Sequence, residues 1–230
     1  MPVKDVDPAQ QPITTVLFDL DGTLVDTAPD MGYALNQVLR ELGHPPRPLE
    51  ELRPFTSHGS LGLIRHALGF GAKHDRFAEI RQRFLDIYKE NLLNDTRLFP
   101  GTEALLRGLE NAGLRWGVVT NKPAWLTDPL LNLLELSNRA ACVVSGDTAA
   151  RPKPDPDPLH HACELLACST AECIYVGDAE RDIIAGNRAG MITLIALFGY
   201  LHDDDHPETW GASGMIDSPL GVLSWLGIDV

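Results

Sequence analysis

The sequence predicts an α/β fold, with a doubly wound, Rossmann-like parallel sheet as its core and an all-helical domain inserted after the first strand. From Phe99 onward, helical patterns alternate with short apolar runs of the kind that parallel sheets bury on both faces. Between residues 28 and 95, apolar side chains recur at helical spacing instead. We therefore expect residues 13–27 and 96–230 to form the core domain and residues 28–95 to form a helical cap domain.

The first half of the chain begins with a strand and continues with helices. Residues 13–18 are apolar and β-branched and end abruptly at Asp19, which is typical of a buried strand followed by a turn. The apolar residues between Met31 and Leu42 repeat every three or four positions and stop before Gly43, which indicates an amphipathic helix. Further helical patterns cover residues 61–69 and 77–92.

The second half of the chain alternates helices with strands. Helices are predicted near 102–112, 124–135, 157–167, 180–189 and 219–226. Strands are predicted at 114–119, 141–144, 173–176 and 192–197. In a doubly wound sheet, ligands bind at the carboxyl ends of the strands, near the switch in strand order. The residues that directly follow each strand are therefore the first candidates for a functional site.

The composition is acidic, because 19 Lys and Arg residues stand against 32 Asp and Glu residues, for a net charge of −13. Such a charge repels nucleic acid and anionic lipid surfaces at long range, so we expect neither nucleic acid nor a membrane as a partner. An anionic small substrate must then be attracted by a local positive site or by a bound cation. We expect a monomer or a small homo-oligomer.

Three features predict a cytoplasmic protein. Residues 1–11 contain no apolar stretch and so resemble neither a signal peptide nor a transit peptide, and residues 1–12 are expected to be a loose leader. The longest apolar run, residues 191–201, is too short to span a bilayer. The four cysteines contain no Cys-x-x-Cys pair, which fits a reducing compartment in which they act as small buried apolar residues.

Polar residues follow four of the predicted strands. The four segments are Asp19-Leu20-Asp21-Gly22-Thr23, Thr120-Asn121-Lys122, Arg151-Pro152-Lys153-Pro154 and Gly177-Asp178-Ala179-Glu180-Arg181-Asp182. Each segment alone is a weak signal, since acidic and hydroxyl residues after strands often only cap helices. All four in this order form a specific pattern.

The pattern resembles the haloacid dehalogenase superfamily, and within it the phosphoglycolate phosphatase-like phosphatases with a helical cap. It is also similar to N-acetylmuramic acid 6-phosphate phosphatases, which share Gly199-Tyr200 followed by Trp210-Gly211-Ala212. The resemblance extends from Ile13 to the end of the chain. It implies Mg²⁺-dependent hydrolysis of a small phosphorylated metabolite through an aspartyl-phosphate intermediate.

The resemblance also implies a role for each motif residue. Asp19 would be the nucleophile and Asp21 the general acid and base, while Thr120 and Lys153 would hold the phosphoryl group. Asp19, Asp21 and Asp178 would bind Mg²⁺, with Asp21 using its backbone carbonyl so that its side chain stays free to transfer protons.

General chemistry supports these roles. A carboxylate with an ordinary pKa is ionised at neutral pH, so Asp19 needs no base to attack phosphorus. Because the carboxylate and the phosphate repel each other, a hard divalent cation has to bridge them. Pro152 and Pro154 exclude a helix around Lys153 and stiffen its backbone, which suits an ammonium group that must stay aimed at the phosphoryl oxygens.

Four further residues are predicted to assist. Asn121 is expected to contact the substrate beside Thr120 and Lys153. Asp182 lies four residues after Asp178, so we expect it to be a partner for Lys153 or for metal-bound water. In the cap, His58 and Arg65 are candidates to bind a substrate carboxylate, with exposed surface cations as the alternative interpretation.

The sequence leaves the substrate open between phosphoglycolate, N-acetylmuramic acid 6-phosphate and other sugar phosphates. A phosphoglucomutase of the same superfamily is a weaker alternative, and a dehalogenase is disfavoured because that branch lacks the second aspartate, here Asp21. An alternative of another class is a non-catalytic binding module that retains the fold. It is disfavoured because the chain retains four charged residues that would then be buried without a chemical use, namely Asp19, Asp21, Lys153 and Asp178.

Overall fold

The computed structural model of the chain describes residues 12–229. Apart from Pro12, the predicted loose leader lies outside the described residues. The strands are β1 (Thr15–Phe18), β2 (Val25–Asp26), β3 (Arg97–Leu98), β4 (Arg115–Val119), β5 (Val143–Val144), β6 (Cys173–Gly177), β7 (Ile192–Ala196) and β8 (Gly214–Ile216). The α-helices are α1 (Ala28–Glu41), α2 (Leu49–Leu52), α3 (Gly59–Leu68), α4 (Phe77–Glu90), α5 (Thr102–Asn111), α6 (Ala124–Leu133), α7 (Asp157–Leu166), α8 (Glu180–Ala189) and α9 (Gly221–Leu226).

Six strands form one parallel sheet in the order β5-β4-β1-β6-β7-β8. The strand order reverses at β1, which lies between β4 and β6. The carboxyl ends of these three neighbouring strands therefore meet at the switch point, where a crevice forms in sheets of this kind. The predicted Rossmann-like α/β class with a helical cap is confirmed.

Helices cover both faces of the sheet, and alternate side chains of each strand pack against one layer or the other. On β1, Val16 and Phe18 pack into one apolar cluster with α5 and α9, whereas Leu17 packs into another with α7 and α8. This follows from the two-residue period of a strand, which sends successive side chains to opposite faces. The short apolar strand β1 thus packs against both layers of helices.

The helices α1, α3 and α4 enclose a separate apolar cluster, which includes Leu35, Leu63 and Phe84. At the two ends of this helical segment, β2 and β3 pair in an antiparallel two-stranded ribbon, with Val25 opposite Leu98. The ribbon and the edge strand β8 were not among the predicted elements. Within residues 12–229, no helix is both long enough and apolar enough to cross a membrane.

Candidate active site

A cavity of about 1060 Å³ lies between the helical cap and the carboxyl edge of the sheet. The core contributes Asp19, Asp21 and Thr120 to its lining, and the cap contributes His58 and Arg65. Five residues from segments far apart in the sequence therefore face one cavity.

Asp19 directly follows β1, where its backbone N–H continues the sheet by donating to Val176 O at 2.9 Å. Its side chain is only 3% exposed. The carboxylate oxygen Oδ1 accepts from the Leu20 N–H at 2.8 Å and lies 3.0 Å from Lys153 Nζ. Burial raises the pKa of Asp19, and the ammonium of Lys153 opposes that rise.

Lys153 is buried at the same point and holds two carboxylates together. Its Nζ lies 3.0 Å from Asp19 Oδ1 and 2.7 Å from Asp182 Oδ1. It also donates to Val119 O at 2.9 Å and to the Tyr175 hydroxyl at 2.6 Å. Burial disfavours the charge on Asp182, but Lys153, Arg181 and the Ala179 N–H together more than offset this and lower the pKa of that carboxyl. Asp182 is thus bound to Lys153, one of the two partners that the sequence analysis considered for it.

Asp178 follows β6 and accepts hydrogen bonds from three different segments. Its oxygens accept from the Ser57 hydroxyl at 2.6 Å, the Tyr200 N–H at 2.9 Å and the Thr23 hydroxyl at 3.2 Å. Burial, reinforced by the negative charges of Asp19 and Asp182, raises the pKa of Asp178 to about 7. A bound cation would favour the ionised form of this carboxylate.

Gly22 allows the backbone of residues 19–23 to pass directly beside the carboxylate of Asp178. Its φ is +89°, and a Cβ at this position would lie 2.2 Å from Asp178 Oδ2. A side chain is therefore excluded both by the backbone conformation and by space.

The side chain of Asp21 accepts hydrogen bonds on both of its carboxylate oxygens. Lys122 Nζ lies 3.0 Å from its Oδ1 and 3.2 Å from its Oδ2, and the Thr27 hydroxyl donates to Oδ1 at 2.6 Å. Lys122 also donates to the Tyr88 hydroxyl of the cap at 2.8 Å. Burial opposes the charge of Lys122, but Asp21 and Tyr88 more than compensate and raise its pKa.

Thr120 follows β4 and is buried at the cavity wall, where its hydroxyl accepts from the Lys122 N–H at 3.1 Å. The side chain of Asn121 binds the loop that carries Lys153. Its Nδ2 donates to Lys153 O at 2.9 Å and its Oδ1 accepts from Lys153 N at 3.0 Å. Asn121 also lines the cavity, and its contact with a substrate stays a prediction.

His58 and Arg65 both lie at the cavity wall with largely exposed side chains. Burial of its ring and the nearby charge of Arg181 lower the pKa of His58. Within residues 12–229, Arg65 forms no ion pair. Their contact with a substrate stays a prediction.

Three site residues were given no role by the sequence analysis. These are Lys122, Arg181 and Ser57. Arg181 lines the cavity and donates to Ser57 O at 2.7 Å, and the charges of Asp182, Asp19 and Asp178 raise its pKa against the effect of burial. Lys122 and Arg181 lie within the quoted segments, but their side-chain directions depend on turns that the sequence pattern does not specify.

The donor set fits a hard divalent cation. One carboxylate oxygen from each of Asp19, Asp178 and Asp182 lies within 4.8 Å of the others. Both oxygens of Asp182 are occupied, Oδ1 by Lys153 and Oδ2 by the Ala179 N–H, so Asp19 and Asp178 are the better candidates for metal ligands. Two carboxylates with further oxygen ligands are what Mg²⁺ prefers.

Comparison with known proteins agrees with this geometry. Residues 16–196 match the model of the haloacid dehalogenase-like hydrolase family. The chain is 43% identical over 204 residues to a phosphoglycolate phosphatase of Xanthomonas campestris pv. campestris, covering 89% of this chain and 92% of that one. It is 39% identical over 215 residues to an N-acetylmuramic acid 6-phosphate phosphatase of Pseudomonas aeruginosa, covering 93% and 95% respectively.

Solved structures share the whole architecture. A crystal structure described as a predicted phosphoglycolate phosphatase from Haemophilus somnus 129PT has a TM-score of 0.82 and 25% identity, covering 93% of this chain and 97% of that chain. The match includes both the sheet and the helical segment. On this similarity of sequence and fold, the chain belongs to the haloacid dehalogenase-like hydrolase family.

Proposed function

We propose that this chain is a Mg²⁺-dependent phosphomonoesterase that forms an aspartyl-phosphate on Asp19. The observation that carries the proposal is the buried cluster of Asp19, Lys153 and Asp178, in which Asp19 lines a large cavity. Relatives that match nine-tenths of the chain are phosphatases of small phosphorylated metabolites, which supports the same reaction class.

The residues divide the chemistry between them. Asp19 Oδ attacks phosphorus, and the bond from phosphorus to the alcohol oxygen breaks. Lys153 keeps that carboxylate aimed and, with Arg181, supplies positive charge near the phosphoryl oxygens. The hydroxyl of Thr120 offers a further donor at the cavity wall.

Asp21 is the group that transfers protons in this scheme. It protonates the leaving alkoxide in the first step and takes a proton from the attacking water in the second. Lys122 and Thr27 hold its carboxyl group in one orientation at the cavity wall. That restraint keeps the transferring oxygen at a fixed place during both steps.

Asp19 and Asp178 would hold Mg²⁺, with the backbone carbonyl of Asp21 as the third protein ligand. Bound there, the cation neutralises the repulsion between the nucleophile and the substrate and polarises a phosphoryl oxygen. Asp19, Asp178 and Asp182 carry three negative charges against the two positive charges of Lys153 and Arg181, so the buried cluster keeps a net negative charge, which favours a divalent cation.

The first test is hydrolysis of a chromogenic phosphate ester with Mg²⁺ and with a chelator. Asp19→Asn should abolish turnover, because an amide is a poor nucleophile. Glu110→Gln is the matched control, since Glu110 pairs with Arg139 on the surface and should leave turnover unchanged. Activity that survives chelation, or Asp19→Asn with full activity, would overturn the proposal.

We propose phosphoglycolate as the substrate to test first, since it is the substrate named for the Xanthomonas relative. The cavity of about 1060 Å³ favours a second candidate, N-acetylmuramic acid 6-phosphate, because pockets of roughly 300–1000 Å³ hold drug-sized ligands. Phosphoglycolate would fill only a small part of it. A comparison of kcat/KM for both substrates and for hexose phosphates decides between them.

A further inference from the structure

Three cysteines converge at the edge of the sheet farthest from the candidate active site. Cys163 lies near the end of α7, Cys168 in the loop after it, and Cys173 at the first position of β6. The Sγ of Cys173 lies 3.8 Å from that of Cys163 and 3.6 Å from that of Cys168. All three sulfurs lie within 4.8 Å of one another.

We propose that this trio is a thiolate site for a thiophilic d¹⁰ metal cation, such as Zn²⁺ or Cu⁺. Thiolate ligands select these cations over Mg²⁺, which prefers oxygen. The site is separate from the phosphatase proposal, which uses only oxygen and nitrogen groups.

The separations between the sulfurs match such a site. With a metal–sulfur bond of about 2.3 Å and tetrahedral angles, two thiolate ligands lie about 3.8 Å apart. The two measured separations are 3.8 and 3.6 Å. The trio thus already has nearly the spacing that a cation requires, and the backbone does not have to move far to bind one.

The position of the trio explains how it is held and how it is reached. Cys163 and Cys173 are buried in the apolar cluster beneath α7, which fixes two of the three ligands. Cys168 is partly exposed and leaves an entry path for the cation. Since β6 rises by about 3.3 Å per residue, Cys173 lies roughly 16 Å from Asp178 at the other end of the strand.

The groups around the trio favour the thiolate form of Cys163 alone, because burial raises the pKa of Cys168 and the hydrogen bond with Cys163 raises that of Cys173. Hydrogen bonds from Cys173 and Cys168 lower the pKa of Cys163 to about 7 despite its burial. Arg115, whose guanidinium donates to Leu166 O at 2.6 Å, adds a stabilising positive charge, while Glu172 opposes it. When the three cysteines bind the cation, their remaining S–H protons pass to the solvent. The step therefore needs no oxidant or reductant.

The test is a titration of the reduced, full-length protein with Cd²⁺ in excess Mg²⁺. Ultraviolet absorbance reports charge transfer from thiolate to Cd²⁺, so cadmium on the carboxylates of the active site gives no signal. We expect saturation at one equivalent, and native mass spectrometry with Zn²⁺ should show one bound ion.

Two variants identify the ligands. Cys168→Ser removes the exposed thiol, should fold normally, and should lower the Cd²⁺ affinity at least about 100-fold, since even outer-shell changes cost 10–100-fold. Cys142→Ala is the matched control, because Cys142 is buried in the same cluster but lies outside the trio. It should keep binding at one equivalent, and a thermal melt of each variant in chelator verifies its fold.

Three results would overturn the proposal. The first is the absence of a charge-transfer signal at one equivalent. The second is equal affinity in Cys168→Ser and the unaltered protein, and the third is a disulfide between two of the three thiols in protein purified without oxygen. Phosphatase activity is measured in parallel, and its loss or retention tests the other proposal alone.

Discussion

Lys122 Nζ faces both carboxylate oxygens of Asp21, at 3.0 Å from Oδ1 and 3.2 Å from Oδ2. The same ammonium donates to the Tyr88 hydroxyl on cap helix α4 at 2.8 Å. One buried cation therefore holds the proposed acid and base and also links the core to the cap. This arrangement makes the activity of the core sensitive to the position of the cap.

We expect Lys122→Met to lower kcat by about 10²-fold or more, because it leaves Asp21 partly buried without its counter-charge and free to rotate. Tyr88→Phe is the control, since it removes the link to the cap but keeps the ion pair, and it should cost less than about fivefold. Steady-state kinetics with the chromogenic ester measures both effects. Equal losses in the two variants would assign the role of Lys122 to cap attachment instead.

Gly22→Ala tests the close approach of the backbone at Gly22 to the carboxylate of Asp178. The new Cβ would lie 2.2 Å from Asp178 Oδ2 at a φ of +89°, so the carboxylate must shift. Gly43→Ala is matched in φ, at +77°, but no atom lies within 4 Å of its Cβ. We expect Gly43→Ala to lower the free energy of unfolding by about 1–2 kcal/mol, from the backbone conformation alone. Gly22→Ala should lower the free energy of unfolding further and also abolish turnover. Chemical denaturation and kinetics measure the difference.

The sequence located the main site residues because the strands before them are unmistakable. Asp19, Thr120 and Asp178 each end an apolar run, and the parallel register of adjacent strands brings such ends together. Lys122 was not assigned a role, since the turn that aims it depends on the hydrogen bond from its N–H to Thr120 Oγ1. The direction of a side chain two residues past a strand is a property of that turn.

The missed elements have a similar physical explanation. The strand β8 has three residues, one of which, Met215, is 49% exposed at the sheet edge, so it carries no continuous apolar pattern. The ribbon of β2 and β3 is two residues long on each side and depends on pairing between positions that are distant in the chain. Periodicity within a sequence window cannot report pairing of this kind.

Asp178 predicts an unusual pH dependence for the metal-free protein. Its pKa is raised from 3.8 to about 7, so between these values the folded state binds more protons than the unfolded state. This contribution to the free energy of unfolding therefore falls as the pH rises through that window. Between about pH 5 and pH 8, we expect the melting temperature of the unaltered protein in chelator to fall more than that of the Asp178→Asn variant in chelator. The asparagine side chain of the variant does not titrate.

Mg²⁺ should reverse that loss, because the cation binds the ionised carboxylate. The increase in melting temperature on adding Mg²⁺ is expected to be larger at about pH 8 than at about pH 6, and absent in Asp178→Asn. Differential scanning calorimetry at several pH values measures both curves. A Mg²⁺-induced shift that persists in Asp178→Asn would remove this residue from the metal site.

Arg65 on α3 is the cap cation best placed to select a substrate that carries a carboxylate. It lines the same cavity as Asp19, and within residues 12–229 it has no acidic partner to neutralise it. A charge-assisted hydrogen bond contributes about 1.5–3 kcal/mol, which corresponds to roughly 10–100-fold in affinity. Arg65→Met should therefore raise KM for phosphoglycolate or N-acetylmuramic acid 6-phosphate by that factor and leave kcat nearly unchanged.

The chromogenic ester separates this role from a general attraction for phosphate. It carries a phosphate but no carboxylate, so its KM should be unchanged in Arg65→Met. Arg76→Met serves as a charge-matched control, since Arg76 lies outside the cavity lining and, within the described part of the chain, forms its ion pair with Glu79 at 3.8 Å. Only a direct contact with the carboxylate makes Arg65 distinguish a substrate that carries a carboxylate from one that does not. An equal rise in KM for both kinds of substrate would therefore mean that Arg65 acts on the phosphate or through the electrostatic field of the whole protein.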